Sequence, residues 1–433
     1  MKMKERHLRE EIAKRKYHQT NRFFYWIYRT VMKITSRKYN PHFNIIDDVN
    51  KEKGPVFVIF NHLSRLDHIY VNEICYPKRV NMIAGYSEFF RSHLNWVFKM
   101  NNVLPKKQYT NDLISTKAIM SIIKQGGSVT FAPGGLATND GMNRPIVPGT
   151  GHLFKKFKIP VYHVKLEGQY LQNNKVCLDE RYGETYATIY KLFTPEDLEK
   201  LSVEEIENKI NEAFRHDEYK FQKEKKIKWK IGEHQLTYNL GDLLYECPKC
   251  HKRFTMVDED NKLYCTNCNN GFTIDEYYEM HKLDDSCVIP DLTSDWVNSE
   301  RVSIIKEIRK DPNYSFKTKV KMGRIPNDHL VKDYKMTEYV CDGEFIVDHE
   351  GVHFKSDSDE SYNFDLNYKQ IYTVITELDT SCFEFYVDGE FTEFFPENRN
   401  RTLFISTLIE EMHRLHVNYF KNFPWNDWMY KED

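Results

Sequence analysis

The stretch 56-VFVIFNHLSRLDHIYV-71 decides the fold of the first part of the chain. Its five apolar residues at 56–60 predict a buried strand, and Asp67 stands where a helix is predicted to begin. Between them lies His62, on the kind of strand-to-helix turn where α/β domains place reactive groups. An aspartate that returns to a histidine ring fixes the tautomer that a general base needs. We therefore take His62 and Asp67 as a candidate catalytic dyad.

The spacing of this pair is weak evidence by itself. The chain has 17 histidines in 433 residues, and His42 and Asp47 repeat the same interval. His42 follows a proline in a polar segment, with no apolar strand before it. We attribute that second pair to chance, and the strand before His62 is what distinguishes the first.

Around this stretch, from about 45 to 195, short apolar segments alternate with helix-like segments. Strands alternating with helices predict an α/β domain in which a sheet is flanked by helices. The segment 112–125 reads as one of the helices, and it stops at two glycines. The predicted strands are 56–60, 80–85, 128–132, 160–166 and 186–193.

The N-terminal segment has its own charge and pattern. Residues 1–40 hold twelve Lys or Arg and three Glu, so they carry +9 against −11 for the rest of the chain. Within 21–40, aromatic and aliphatic residues recur at helical spacing among basic residues, which favours a helix lying in an anionic membrane interface. The alternative is a helix docked on the protein's own core. No apolar run reaches the roughly 18–20 residues of a membrane span, and no signal-peptide core is present. We expect a cytoplasmic protein, peripheral (monotopic) on the inner face of the cell membrane.

Four of the nine cysteines form two close pairs. The sequence 247-CPKC-250 is followed by fourteen residues and then by 265-CTNC-268. Two such knuckles predict a zinc ribbon that is structural, because four thiolates leave no open position on the metal. The insert between the knuckles mixes basic and acidic residues, so no nucleic-acid partner is expected. The predicted zinc ligands are Cys247, Cys250, Cys265 and Cys268.

The last third of the chain reads as a β-rich domain. Short strands separated by polar turns occupy about 316–395, and Asp-Gly and Glu-Gly pairs between them predict hairpins. An amphipathic helix follows at 400–420. Antiparallel strands closed by one helix are the order found in pleckstrin-homology-like barrels, which is an analogy of fold only. The predicted domains are 1–44 (basic interfacial helices), 45–230 (α/β domain), 231–285 (zinc ribbon) and 286–433 (antiparallel β domain with a closing helix).

A family resemblance now joins several of these motifs. The stretch 61-NHLSRLD-67 resembles the Asn-His-x-Ser-x-x-Asp signature of glycerolipid acyltransferases, the family that includes 1-acylglycerol-3-phosphate acyltransferase. The stretch 131-FAPGG-135 stands where that family has its Phe-Pro-Glu-Gly-Thr-Arg phosphate-binding block. The stretches 98–107 and 149–168 are similar to two further blocks, so the resemblance covers roughly residues 20–215.

The resemblance implies an O-acyltransferase. In the family, the histidine removes a proton from an acceptor hydroxyl, which attacks an acyl thioester, and the aspartate orients the histidine. Carried over, His62 is the base and Asp67 its orienter, the donor is acyl-CoA or acyl carrier protein, and the partners are a membrane surface and a lipid acceptor. Lys106 or Lys107 would contact phosphate, and the glycines would let backbone N–H groups approach the substrate. The implied substrate-binding residues are Asn61, Ser64, Lys106, Lys107, Gly134, Gly135 and Arg144.

The sequence departs from the family in the third block. Pro133 replaces the family's glutamate and Leu136 its arginine, which removes the usual guanidinium clamp on phosphate. Arg144, in the next loop, is predicted to take the place of this arginine and to bind the phosphate of an acceptor such as 1-acylglycerol-3-phosphate. Two alternatives stay open. The acceptor is a neutral lipid such as monoacylglycerol, because the Pro-Gly-Gly block is similar to enzymes of that branch, or the chain is a non-catalytic membrane or protein adaptor.

Overall fold

The computed structural model describes residues 7–332 and 338–418, and the first part of the chain is built on one seven-stranded sheet. Across the sheet, β2 lies between β6 and β5, so the strand that precedes His62 is central. Strand β7, which lies between β1 and β6, runs antiparallel to β6, while β2 is parallel to both of its neighbours. The seven strands are β1 (Pro41–Ile45), β2 (Phe57–Phe60), β3 (Val80–Gly85), β4 (Leu104–Lys106), β5 (Ser128–Phe131), β6 (Val161–Glu167) and β7 (Thr185–Phe193), in the spatial order β1-β7-β6-β2-β5-β3-β4.

Strand β2 is buried on both faces. Phe57 and Ile59 pack into one apolar core, and Val58 and Phe60 pack into the core on the opposite face. A parallel strand covered on both sides reads as a continuous apolar run, which is the pattern of 56–60. The predicted α/β fold with a helix-flanked sheet is confirmed.

Helices cover the two faces of this sheet. One core receives α3 and α10, and the other receives α5, α6 and α9. Asp112 caps α5 by accepting hydrogen bonds from the backbone N–H groups of Ile114 and Ser115, and the helix ends before Gly126 as predicted. The helices are α1 (Leu8–Lys14), α2 (Arg22–Ser36), α3 (Asp67–Cys75), α4 (Ser92–Met100), α5 (Leu113–Lys124), α6 (Thr150–Phe157), α7 (Gln169–Gln172), α8 (Pro195–Lys200), α9 (Val203–Ala213) and α10 (Glu218–Lys225).

Helix α2 has one docked face and one exposed apolar face. Arg29 and Lys33 form ion pairs with Glu73 on α3, at 2.6 and 2.9 Å, which holds α2 against the domain. On its outer side the exposed apolar residues are Phe23, Trp26, Val31 and Ile34, each at least half exposed. Among the described helices, none combines the length and the apolar character needed to cross a membrane.

The cysteine-rich region forms a small antiparallel sheet. Its four strands are β8 (Met256–Glu259), β9 (Lys262–Cys265), β10 (Gly271–Ile274) and β11 (Met280–Lys282), which pair in sequence order. Each knuckle bends through a residue in the left-handed region, His251 after the first and Asn269 after the second. Both of these residues donate their N–H to the first cysteine of their own knuckle, so the two turns repeat one geometry.

The C-terminal part is a seven-stranded antiparallel sheet with two helices on its core. Residues of α11 and α12 share that apolar core with the sheet, so the predicted antiparallel domain with a closing helix is confirmed. The pleckstrin-homology-like barrel stays an analogy, because the outer strands of this sheet, β15 and β16, are not neighbours in the strand order. The elements are α11 (Thr293–Lys310), β12 (Ser315–Arg324), β13 (Glu338–Asp348), β14 (Val352–Ser356), β15 (Phe364–Leu366), β16 (Ile375–Thr376), β17 (Phe383–Val387), β18 (Glu390–Pro396) and α12 (Thr402–His416).

One predicted hairpin is wrong. The Asp342-Gly343 pair lies inside β13, where both residues continue the ladder with β12. A glycine in a strand is tolerated where another backbone or ring comes close, and a Cβ at Gly343 would meet the Phe354 ring at 2.5 Å. The Asp388-Gly389 pair does form the β17–β18 turn, with both residues at positive φ.

The C-terminal sheet contacts the first domain at the carboxyl ends of its parallel strands. The Tyr109 and Tyr372 rings lie 5.3 Å apart, and Thr376 Oγ1 donates to Asn139 at 2.7 Å. Lys175 Nζ donates to the Thr376 carbonyl at 3.1 Å, and burial lowers the pKa of this lysine to about 7. The four domain boundaries themselves stay predictions, and residues 1–6, 333–337 and 419–433 of the predicted first and last domains lie outside the described residues.

Candidate active site and metal centre

The turn between β2 and α3 brings His62 and Asp67 together. The Nδ1 atom of His62 lies 2.7 Å from Oδ2 of Asp67. The Asp67 side chain is 1% exposed, whereas that of His62 is 28% exposed. A buried carboxylate beside a partly open imidazole leaves one ring nitrogen to face a substrate.

Asp67 is held by the backbone of the same turn. Its Oδ2 atom accepts N–H groups from Leu63 at 2.7 Å and from Ser64 at 3.1 Å, besides the bond to His62. Because a carboxylate only accepts, His62 Nδ1 is the donor, and its Nε2 is the atom free to take a proton. This arrangement of acid, base and backbone is what orients a histidine general base.

Asn61 and Ser64 build the turn. The Asn61 amide accepts the N–H of Leu166 and donates to its carbonyl, both at 2.8 Å, which ties the end of β2 to β6. Ser64 Oγ accepts the N–H of Leu66 at 2.9 Å. Both side chains are buried, and these hydrogen bonds to backbone groups support the turn that carries His62. Their predicted role in substrate binding stays a prediction.

The glycine block lies beside this turn. Ile59 on β2 pairs with Phe131 on β5. His62 comes three positions after Ile59 and Gly134 three positions after Phe131, so both follow the carboxyl ends of neighbouring parallel strands. Gly135 has a φ of +81°, and a Cβ there would meet the Tyr109 ring at 3.2 Å. Its N–H is used in a turn to the Ala132 carbonyl. Among the described residues the N–H of Gly134 has no acceptor.

The two lysines predicted to contact phosphate have partners inside the protein. Lys106 Nζ donates to the carbonyls of Lys107 and Thr110, at 2.7 and 2.9 Å, and burial lowers its pKa. Lys107 Nζ lies over the Tyr86 and Tyr386 rings, at 5.1 and 5.4 Å from their centroids. The position of the family's arginine is filled by Leu136, which is buried in an apolar cluster.

Arg144 is paired with the closing helix. Its guanidinium donates to Glu410 on α12, and also to Thr373 Oγ1 at 2.9 Å. The guanidinium therefore faces Glu410, a carboxylate that it shares with Arg301. Its predicted contact to an acceptor phosphate stays a prediction. Burial alone would raise the pKa of Glu410, but Arg144, Arg301 and Arg414 outweigh burial and lower that pKa to about 2.

Removing Arg144 from its pair with Glu410 should destabilise the fold. We expect Arg144→Met to lower the free energy of unfolding by about 3 kcal/mol at neutral pH. This value is at the lower end of the range for breaking a buried ion pair, because Arg301 still faces Glu410. The folded pKa of Glu410 is depressed, so its stabilisation is complete above its ordinary value of 4.5 and is lost as pH falls toward about 2. Urea unfolding of both proteins across this range measures the effect. A gap between them that stays constant down to pH 2 would contradict it.

His163 has partners in the interior of the sheet domain. His163 is buried on β6, where Nδ1 lies 2.8 Å from the Tyr190 hydroxyl and burial lowers its pKa to about 3.

Two contacts of the His62 turn were not predicted, and both depend on tertiary structure. The Thr138 N–H donates to the His62 carbonyl at 2.9 Å, and Arg65 donates to the carbonyl of Leu178.

The four predicted cysteine ligands converge. The Sγ atoms of Cys247 and Cys268 are 3.6 Å apart, and those of Cys250 and Cys265 are 3.7 Å apart. Sulfurs at about 2.3 Å from a tetrahedral zinc lie roughly 3.8 Å from one another, so the spacing fits one ion. The cluster is able to hold a metal with all four thiolates.

Comparison with known proteins agrees with the motif. Residues 40–167 match the family model described as Acyltransferase, and this segment contains His62, Asp67 and Gly134. The resemblance drawn from 61–67 is thereby confirmed for that segment. Among solved structures, the chain is similar to the 1-acyl-sn-glycerophosphate (LPA) acyltransferase PlsC from Thermotoga maritima. The identity is 18%, over 44% of this chain and 76% of that one, with a TM-score of 0.38. No curated protein sequence matches the chain.

Proposed function

We propose that this protein is a glycerolipid O-acyltransferase that uses His62 as a general base. It moves a fatty acyl group from acyl-CoA or acyl carrier protein to a hydroxyl of a lysophospholipid, with 1-acylglycerol-3-phosphate as the first candidate acceptor. The observation that carries this proposal is the 2.7 Å contact between His62 and Asp67 within the segment that matches the acyltransferase family.

The chemistry follows from the hydrogen bonds of the turn. His62 Nε2 takes the proton of the acceptor hydroxyl as the hydroxyl oxygen attacks the thioester carbonyl. Asp67, fixed by three N–H donors, stabilises the imidazolium. The Gly134 N–H faces the developing oxyanion. The C–S bond then breaks, an ester C–O bond remains, and the proton passes from His62 to the leaving thiolate.

A neutral acceptor is the second candidate. The contacts of Lys106, Lys107 and Arg144 favour it, because each of these cations already has partners inside the protein. A phosphate dianion that is buried without a cation facing it is unfavourable. Monoacylglycerol represents this class of acceptor.

The acceptor is decided by a paired assay. Purified protein in mixed micelles would receive an acyl thioester together with lysophosphatidate or monoacylglycerol. We expect a higher kcat/KM for lysophosphatidate if a cation turns toward the substrate, and Lys106→Met should then raise KM. A preference for monoacylglycerol that is unchanged in Lys106→Met would establish the neutral acceptor. Transfer to neither lipid would favour the adaptor alternative.

We further propose that the outer face of α2 lies on a membrane surface. Phe23, Trp26 and Ile34 are exposed there, while Arg29 and Lys33 hold the helix to α3. Apolar and aromatic residues that flank basic ones insert into the boundary between headgroups and acyl chains. The protein would then be peripheral on the inner face of the cell membrane, where its lipid acceptor is found.

Vesicle binding tests this surface. We expect Trp26→Ser combined with Ile34→Ser to weaken co-sedimentation with vesicles containing anionic lipid about tenfold or more, because each buried side chain contributes about 1.5–3 kcal/mol. Leu113→Ser is the matched control, since Leu113 is 72% exposed on α5 and outside this face. Equal binding of all three proteins would contradict the proposal.

The four-cysteine cluster is proposed to hold structural zinc. The sulfur spacing and the paired knuckle turns support zinc. Four thiolates would leave no coordination position on the ion for water. We assign the ribbon no nucleic-acid partner, and acyl carrier protein remains a proposed donor partner.

A further inference from the structure

We propose a second zinc site, separate from the ribbon, formed by Cys177, Asp179 and His234. One donor atom of each residue lies within 4.8 Å of the donor atoms of the other two. Thiolate sulfur, carboxylate oxygen and imidazole nitrogen are the three ligand types that zinc takes in proteins. A set containing sulfur and nitrogen does not suit magnesium or calcium, which require oxygen ligands.

The ligands come from two segments whose backbones are in contact. Cys177 and Asp179 lie on the loop between α7 and β7, and His234 lies between α10 and β8. A Cβ at Gly232 would come within 2.4 Å of the Glu180 carbonyl oxygen, so only glycine allows this approach. The two segments also exchange backbone hydrogen bonds between Tyr182 and Lys230, at 3.0 and 2.9 Å, so they are held together without the metal and their ligands are preorganised.

Neighbouring residues orient two of the ligands. The Cys177 N–H donates to Asn174 Oδ1 at 2.8 Å. The His234 ring stacks on Tyr238 with centroids 3.9 Å apart and an interplanar angle of 16°. Such outer contacts typically fix the direction of metal ligands. The two ligands His234 and Asp179 are already adjacent, because His234 Nδ1 lies 3.0 and 3.1 Å from the two carboxylate oxygens.

The site differs in kind from the ribbon. Three protein ligands leave a fourth position for water, and the His234 side chain is 38% exposed. Cys177 is buried. Zinc binding would displace its thiol proton, because the thiolate is the form that binds metal. The ion should exchange faster than the one held by four thiolates.

Zinc here would also order a loop beside the candidate active site. Leu178 lies between the two loop ligands, and its carbonyl accepts Arg65 Nη2 at 3.2 Å. Arg65 belongs to the turn that carries His62 and Asp67. The metal would thus link the segment around His234, which leads to the ribbon, to the loop at 177–179, which contacts this turn.

Metal counting on the full chain tests the proposal. After equilibration with zinc and removal of excess, elemental analysis should find two zinc ions per wild-type chain and one in Cys177→Ser and in His234→Gln. The matched controls are Cys75→Ser, another buried thiol, and His152→Gln, an exposed histidine, and both should retain two. X-ray absorption of the wild type should show nitrogen or oxygen scatterers that are missing in Cys177→Ser.

Two results would overturn it. One zinc per wild-type chain, with sulfur ligands only, would mean that the ribbon is the sole zinc site, and this result does not depend on any variant folding. Two zinc ions in the wild type that persist in both Cys177→Ser and His234→Gln would place the second ion elsewhere, for example among Asp275, Glu279 and His281.

Discussion

His62→Ala is expected to reduce kcat/KM for acyl transfer about 10²- to 10⁴-fold, the usual range for loss of a general base. The fold should survive, because the His62 side chain is partly exposed and its recorded hydrogen bond is the one to Asp67. Asp67 keeps its two backbone N–H donors in the variant. Steady-state rates in mixed micelles, with circular dichroism for folding, measure the effect.

The matched controls separate catalysis from structure. His152→Ala removes an exposed histidine and should leave the rate within a factor of about two, as for most surface substitutions. Asp67→Asn keeps the size of the side chain but disturbs the oxygen that accepts three N–H groups, so it should lower kcat while the fold persists. A wild-type rate in His62→Ala would rule out His62 as the base.

Removing the proposed zinc from the ribbon should have the largest effect on stability. Structural zinc contributes about 10–16 kcal/mol to the folding of zinc-finger peptides. The strands β8–β11 supply only a few residues, such as Leu263 and Phe272, to the apolar cluster that they share with neighbouring segments. We expect Cys265→Ser, or a strong chelator, to lower the first thermal transition and to remove hydrogen-exchange protection from β8–β11. Several domains are present, so the transitions should be followed region by region.

A cysteine outside the ribbon provides the comparison. Cys75 is buried on α3, away from both knuckles, and Cys75→Ser should leave the exchange of β8–β11 unchanged. The prediction would be contradicted if the hydrogen-exchange protection of β8–β11 were the same with and without bound metal. The ribbon would then not depend on metal held by the four cysteines.

Local patterns were enough to predict much of the fold. Continuous apolar runs predicted the buried strands, and the paired cysteines predicted a cluster that the structure brings together. Strands β1 and β4 were missed, because β1 is mostly exposed and β4 has only three residues. The Asp342-Gly343 pair was misread because long-range pairing with β12 overrides a local turn signal.

The candidate site shows a similar limit. The His62–Asp67 contact spans five positions, and its surrounding pattern was legible in the sequence. The partner of Arg144 lies 266 positions away on α12, and no local signal connects the two. The backbone contacts of Asn61 and Ser64 also needed the structure, since the same amide or hydroxyl can bind a substrate or a neighbouring backbone.

The most direct test of the central claim is the stoichiometry of the reaction. Wild-type protein would be incubated with a labelled acyl-CoA and a glycerolipid acceptor, and mass spectrometry would count free coenzyme A and acylated lipid together. Base-catalysed attack by the acceptor hydroxyl predicts equal amounts of the two products, both lost in His62→Ala. Coenzyme A released without acylated lipid would identify a thioester hydrolase and contradict the account, and so would equal yields from the wild type and His62→Ala.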